Sequence, residues 1–290
     1  MPEIIDWNKL NPPPRRGRRG LLILIAVVAV IVLGSRTALS YWVDLLWFQS
    51  LRYSEVFWKA RELQWGIFAG FFLLTLLILL GVFSAIKHAH QDDLPADHTI
   101  FINGQPITLS LKPVLRIVSI AGSLLVALVT GGAMASDWQT LALWWYAPKG
   151  AGVADTIFGR PLDFYLFTLP AWQLILGWLL TLSVISCVIA VVFLLISGSS
   201  RALTGSRAGL SGLPWRGFSI AVGFLLLIVA GRVYLSRFAT LFEHHTIFDG
   251  VTYTDAHVTI TGMLVVCFAL LLGALIALAG GVFAPRGRWL

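Results

Sequence analysis

The sequence predicts an all-α protein, a polytopic bundle of transmembrane helices, on three observations. Four stretches, 65–86, 117–135, 170–197 and 258–284, contain no Asp, Glu, Lys or Arg, and each comes close to or passes the roughly 20 residues needed to cross about 30 Å of hydrocarbon. Two more, 21–40 and 215–235, carry charge only near their ends, at Arg36 and at Arg216 and Arg232, where a long side chain can lift its head to the interface. The ends of all these stretches are rich in aromatic and basic residues, the composition of a membrane–water boundary. Six spans follow.

The first 20 residues are a basic segment with Arg15, Arg16, Arg18 and Arg19 ahead of an apolar run. A cleaved secretory signal is the rival reading, but Arg36 and Leu39 break the small-residue context of a cleavage site and an aromatic edge follows. A retained first helix is simpler. In 41–64, Arg52, Glu55, Lys59 and Glu62 recur at helical spacing while Tyr53, Val56, Phe57, Ala60 and Leu63 fill another face. This pattern predicts a helix lying in the membrane interface. On the second span Gly66 and Gly70 form a small-residue face suited to close helix approach.

Between the second and third spans lie His88, His90, Asp92, Asp93, Asp97 and His98. These are metal-ligand types in no recognised zinc spacing, so a solvated loop is the plainer reading, with His88 and His90 kept as metal candidates. Asn103-Gly104 follows between short apolar runs, and both residues tolerate positive φ, which predicts a small cytoplasmic β-hairpin. Segment 136–169 is crowded with Trp, Tyr and Phe, as expected at headgroup depth. Segment 197–212 is rich in Ser and Gly and lacks the apolar content to pack a core.

The last outer segment holds Glu243, His244, His245, Asp249, Asp255 and His257. His244, His245 and Asp249 are further metal candidates, but the chain has no metalloprotease, nucleophile-elbow or phosphate-loop motif. No catalytic residue and no cofactor is expected. On the sixth span Ala269, Gly273, Ala277 and Gly281 fall at four-residue steps and form a second small-residue face. With both helices running from outside to inside, Cys187 and Cys267 sit at depths about 12 Å apart, too far for a disulfide, so both are read as free thiols.

With the N-terminus in the cytoplasm, segments 1–20, 87–116, 198–216 and 285–290 hold most of the 21 Lys and Arg and a minority of the 14 Asp and Glu. That bias is the positive-inside pattern. The formal net charge of +7 is spread over loop ends beside spans and not along one soluble face, which fits anionic lipid heads more simply than nucleic acid, and no nucleic-acid partner is expected. Deep ionisable residues usually mark ion or proton pathways, and these spans have none.

Three motifs together carry a resemblance. They are Tyr41-Trp42-Val43-Asp44-Leu45-Leu46-Trp47-Phe48 with Tyr53 to Lys59; Ile157-Phe158-Gly159-Arg160-Pro161-Leu162-Asp163-Phe164-Tyr165 with Leu169-Pro170; and Tyr234, Arg237-Phe238 with Tyr253-Thr254-Asp255-Ala256-His257. In combination they resemble uncharacterised protein family 0182, large bacterial integral membrane proteins, from about Leu21 onward. The resemblance implies about seven spans ahead of a large extracytoplasmic domain, and no particular reaction. Residues 285–290 follow the sixth span directly, so a seventh span and the outer domain are expected to be missing from this chain.

The expected role is the plasma-membrane anchor and platform of that outer domain. The alternative is a transporter or permease component for a lipidic or envelope substrate, and a membrane-embedded enzyme is third. Membrane lipids and the rest of the same protein are the expected partners, with a homo-oligomer left open.

Overall fold

The computed structural model describes residues 17–89, 98–102, 105–109, 111–148, 150, 152–203, 215–243 and 250–283. Seven α-helices dominate: α1 (Gly17–Ser50), α2 (Ser54–Ala89), α3 (Leu111–Ser136), α4 (Trp138–Tyr146), α5 (Leu169–Leu203), α6 (Trp215–Ala239) and α7 (Ile260–Phe283). Between α2 and α3, strands β1 (His98–Ile102) and β2 (Gln105–Leu109) pair antiparallel with Ile102 opposite Gln105. Five helical stretches among the described residues are long and apolar enough to cross a membrane: Ser54–Ile86, Arg116–Ser136, Phe164–Leu195, Trp215–Phe242 and Asp255–Val282. The first expected span, 21–40, lies within α1. The chain divides into two compact units, residues 1–62 and 63–290.

In the first unit the expected interfacial helix over 41–64 is not a separate element. Residues 41–50 complete α1 and residues from 54 onward open α2, with a tight turn at 51–53. The turn is a Schellman closure: Tyr53 N–H donates to Phe48 O at 2.9 Å and Arg52 N–H to Gln49 O at 3.0 Å, with Arg52 at φ 61° in the left-handed region. Glycine is the usual residue there, so nothing in the side-chain pattern announces the break. Across it Phe48 meets Phe57 at 5.8 Å, while the Arg61 guanidinium lies 4.1 Å from the Tyr41 ring and 3.9 Å from Asp44.

In the second unit α2 and α5 run parallel, and α3 and α6 run antiparallel to them. Phe68, Phe71, Phe72, Thr75 and Leu79 make the inward stripe of α2. A Cβ on Gly131 of α3 would stand 3.2 Å from Phe72 Cβ and 3.3 Å from Phe68 O, so it is α3 that supplies the small residue at this crossing. Gly66 and Gly70 are exposed, and a Cβ on either would meet no described residue within 4 Å. At this crossing bulky Phe residues of α2, and not Gly66 or Gly70, meet α3.

At the level of Thr75 the core becomes polar. Trp178 Nε1–H of α5 donates to Thr75 Oγ1 at 3.0 Å, Thr75 and Thr130 hydroxyls meet at 3.2 Å, and Thr130 Oγ1 donates to Val126 O at 2.8 Å. Thr130 has spent its one hydrogen on Val126, so Thr75 donates to it. The result is a one-way chain through α5, α2 and α3 in which each hydroxyl has both a donor and an acceptor partner. Phe71 packs edge-on against Trp178 at 4.9 Å, among Leu79, Met134, Ala171 and Leu182.

α6 and α7 are antiparallel and closely joined. Ile260, Cys267, Ala274 and Gly281 are buried at seven-residue steps on α7, the spacing of a coiled-coil seam. Opposite them, Gly223 stands against Ala274 and Leu278, Ala230 O receives the Cys267 thiol at 3.5 Å, and the Arg216 guanidinium caps α7 through Gly281 O at 2.9 Å and Val282 O at 2.8 Å. The expected four-step face is corrected in register. Gly273 and Gly281 do face α6, but Ala269 is exposed, because the neighbour tracks the seven-step seam. Both cysteines are free thiols.

Candidate functional site

The residues with the most specific polar geometry gather at one end of the second unit, where the 147–163 loop, the start of α5, the end of α6 and the start of α7 lie. The loop folds on itself through the Ala154–Pro161 bridge, with Asp155 N–H donating to Arg160 O at 2.9 Å and Gly159 at φ 64° completing the reversal.

Asp155 is the hub of that loop. Its Oδ1 accepts from the N–H groups of Ile157 (2.7 Å) and Phe158 (2.6 Å), and its Oδ2 accepts from Arg160 N–H (3.0 Å) and the Tyr165 hydroxyl (2.5 Å). Burial works against ionisation, but the bonds from Tyr165, Phe158, Arg160 and Ile157 outweigh it and hold the carboxyl below its ordinary range. The carboxylate therefore organises a loop and has little lone-pair capacity left for chemistry.

Tyr165 belongs to a π-helical turn, Phe164–Thr168, that leads into α5. Its ring, with Leu169 and Phe238, forms a buried cluster flanked by Phe158, Phe164, Leu235 and Leu241. Phe238 is the centre, at 4.8 Å from Phe158 and 5.0 Å from Phe164. Next to it the Arg237 guanidinium lies 4.0 Å from the Tyr234 ring, 4.6 Å from Phe238 and 5.7 Å from Phe158. Cation–π contact of this kind stabilises a half-buried charge without a carboxylate. Arg160 lies 5.5 Å from the Phe164 ring, and Asp163 Oδ2 accepts from Gly150 N–H at 3.0 Å.

α7 begins with a matching device. Thr252 N–H and Oγ1 donate to Asp255 Oδ2 at 3.1 and 2.6 Å, Asp255 N–H donates to Thr252 Oγ1 at 3.1 Å, and Thr259 Oγ1 donates to Asp255 Oδ1 at 3.0 Å. This is a capping box at the head of a second π-helical turn, Asp255–Thr259. Tyr253 stacks on His257 at 4.1 Å. Single π-turns are uncommon and are frequent at functional sites, and here two open the two helices that enter from this end.

The motif residues thus separate into two groups. Phe158, Gly159, Arg160, Asp163, Phe164, Tyr165, Tyr253, Thr254 and Asp255 build this end, with Pro170 in the first turn of α5, while Tyr41, Trp42, Asp44, Trp47 and Phe48 belong to the first unit. Trp42 and Trp47 are exposed there. Asp155, which lies outside the three motifs, and Arg237, which belongs to the third, are the organisers. Of the metal candidates, His90, His244, His245 and Asp249 lie outside the described residues, as does the side chain of His88. Among the described residues no three His, Cys, Asp or Glu side chains group as metal ligands would.

The model of the uncharacterised protein family UPF0182 matches residues 21–289. A UPF0182 protein of Paenarthrobacter aurescens is 31% identical over 285 residues, covering 96% of this chain and 28% of that relative. One from Thermobifida fusca is 29% identical over 279 residues, 94% of this chain and 27% of the relative. One from Corynebacterium efficiens is 31% identical over 257 residues, 85% and 25%. The chain spans about a quarter of the length of these curated relatives. No solved structure matches it.

Proposed function

Because the chain belongs to family UPF0182, we propose that its helices are the plasma-membrane anchor and platform for the larger remainder of the protein, carried on the extracytoplasmic side. In this reading α1 supplies a sixth crossing, the N-terminus and the β-hairpin are cytoplasmic, and the aromatic end faces outward. The observation that carries it is the locked end built on Asp155, Tyr165 and Arg237: the directional bonding is concentrated where an outer domain would rest. The interior is joined by small residues and by a closed hydroxyl chain, the construction of a fixed support. A permease for a lipidic substrate is the second reading, favoured by a groove between α5 and α6 near the same end.

Sidedness and transport test the two readings together. Val153, 88% exposed in the outer loop, is replaced by Cys in a background lacking Cys187 and Cys267, and intact cells are treated with a membrane-impermeant maleimide. Labelling of Val153→Cys in intact cells and of Gln105→Cys only after lysis is expected; the reverse pattern overturns the orientation. Proteoliposomes of the full-length protein are expected to move fluorescent phospholipid no faster than empty vesicles, and rapid movement would establish the permease.

A further inference from the structure

We infer that the groove between α5 and α6 is a binding site for one anionic phospholipid, with its phosphodiester held by Arg232 and Gln173. The groove has a volume of about 390 Å³ and is lined by Gln173, Leu176, Arg232, Val233, Leu235 and Ser236, a size within the usual range of small-molecule sites. Arg232 and Gln173 both lie in helices apolar enough to cross a membrane. Neither side chain has a hydrogen bond or ion pair with any described residue. A guanidinium in such a segment is costly unless it is paired or reaches the interface, and Arg232 stands seven residues, about 10 Å, below the end of α6 at Ala239. Its side chain is exposed and long enough to reach from there toward the interface, where lipid phosphates lie.

The chemistry of the lining selects the occupant. A phosphodiester accepts hydrogen bonds from a guanidinium fork with good geometry, and the Gln173 amide can donate a further one. Ser236 donates its hydrogen to Val233 O at 2.8 Å, with the Met263 sulfur as a weaker acceptor at 4.0 Å, so its oxygen is left to accept from a headgroup hydroxyl. No Asp or Glu lines the groove, which leaves a choline or ethanolamine cation without a counter-charge and favours a glycerol headgroup. Leu176, Val233 and Leu235 offer the apolar wall along which an acyl chain lies. The site holds whether the bundle is an anchor or a permease.

The test is native mass spectrometry of the purified, delipidated protein in detergent containing equal amounts of phosphatidylglycerol and phosphatidylcholine. Wild type is expected to retain one phosphatidylglycerol with a preference of about tenfold, the scale of one charged hydrogen-bonded contact. Arg232→Gln should abolish the preference, Gln173→Leu should reduce it, and Arg116→Gln, at an exposed position on α3, should leave it intact. Leu176→Phe narrows the groove without touching charge and should also release the lipid, which keeps the test decisive if Arg232→Gln does not fold. An unchanged preference in both Arg232→Gln and Leu176→Phe overturns the site. So does displacement of the lipid by millimolar inorganic phosphate, which would mark the occupant as a soluble anion.

Discussion

The seam between α6 and α7 and the aromatic end of the same bundle are held together by opposite means. Along the seam Gly223, Ala230, Cys267, Ala274 and Gly281 contribute almost no polar bonding, and the helices are close because nothing protrudes. At the end, a single carboxylate accepts four hydrogen bonds and a guanidinium rests among three rings. Lipid tails are as apolar as leucine, so two helices in a membrane gain little from burial and associate by fit. At the boundary, water competes for every polar group, and a loop keeps one shape only if its own donors and acceptors are matched. Fit therefore governs the interior, and matched polarity governs the end.

The sharpest way to break this contrast is a branched side chain in the seam. A Cβ at Gly223 would lie 2.7 Å from Leu278 Cγ and 3.2 Å from Ala274 O. Gly223→Val is expected to destabilise the bundle by about 3 kcal/mol, the upper part of the range for overpacking, measured by reversible unfolding in mixed detergent micelles. Gly66→Val is the control, because its Cβ meets nothing. Equal losses at the two positions would mean that the seam has no special demand for fit.

The next effect belongs to the polar exception inside the bundle. Thr75→Val keeps the shape but removes the acceptor of Trp178 Nε1–H and the donor to Thr130. The orphaned buried N–H should cost about 2 kcal/mol, read in the same unfolding assay. Trp178→Phe combined with Thr75→Val should recover part of that loss, since the unpaired donor goes with it. A double mutant worse than Thr75→Val alone would show that the chain is packing and not bonding.

Asp155 tests the other side of the comparison by pH. Its carboxyl is held below the ordinary range, so its contribution is fully present above the unfolded carboxylate pKa and is lost as pH falls through the lowered folded value. Amide exchange at Ile157, Phe158 and Arg160, corrected for the intrinsic pH dependence, should be flat near neutrality and accelerate only in acid. Asp155→Asn should raise it at pH 7 by about tenfold, equivalent to about 1.4 kcal/mol. The α6–α7 amides should not respond to either change.

These regions differ as much in what their sequence discloses. Of the five stretches long and apolar enough to cross, four declared themselves as uncharged runs and the fifth, 215–235, as a run charged only near its ends, because length and hydropathy act residue by residue. The seam was less legible: Ala269, Gly273, Ala277 and Gly281 form a four-step series, Ile260, Cys267, Ala274 and Gly281 a seven-step one, and a helix of 3.6 residues per turn accommodates both. Only the partner decides which is used. Arg52 gives no warning of the break between α1 and α2, since its left-handed φ is imposed by the closure around it. Asp155 did leave a trace, an Asp followed four residues later by Gly159, the pattern of an Asx-stabilised turn. Its pairing with Tyr165 and the ring contacts of Arg237 depend on the neighbouring backbone and leave none.

α7 takes part in both regions, and the smallest prediction uses it to separate them. Its head carries the capping box of Thr252 and Asp255, while its body carries the seam. The Thr252-x-x-Asp255 spacing ahead of an apolar run is the sequence form of that box. Thr252→Ala removes the side-chain bonds to Asp255 and is expected to cost about 1 kcal/mol, as for a typical N-cap. The loss should appear as faster exchange confined to the first turns of α7, at Asp255 to Thr259, while the amides around Ala274 stay protected by the close approach of α6 at Gly223. If instead protection falls along the whole helix, the cap and the seam are one cooperative unit, and the division between a fitted interior and a bonded end does not extend to the energetics.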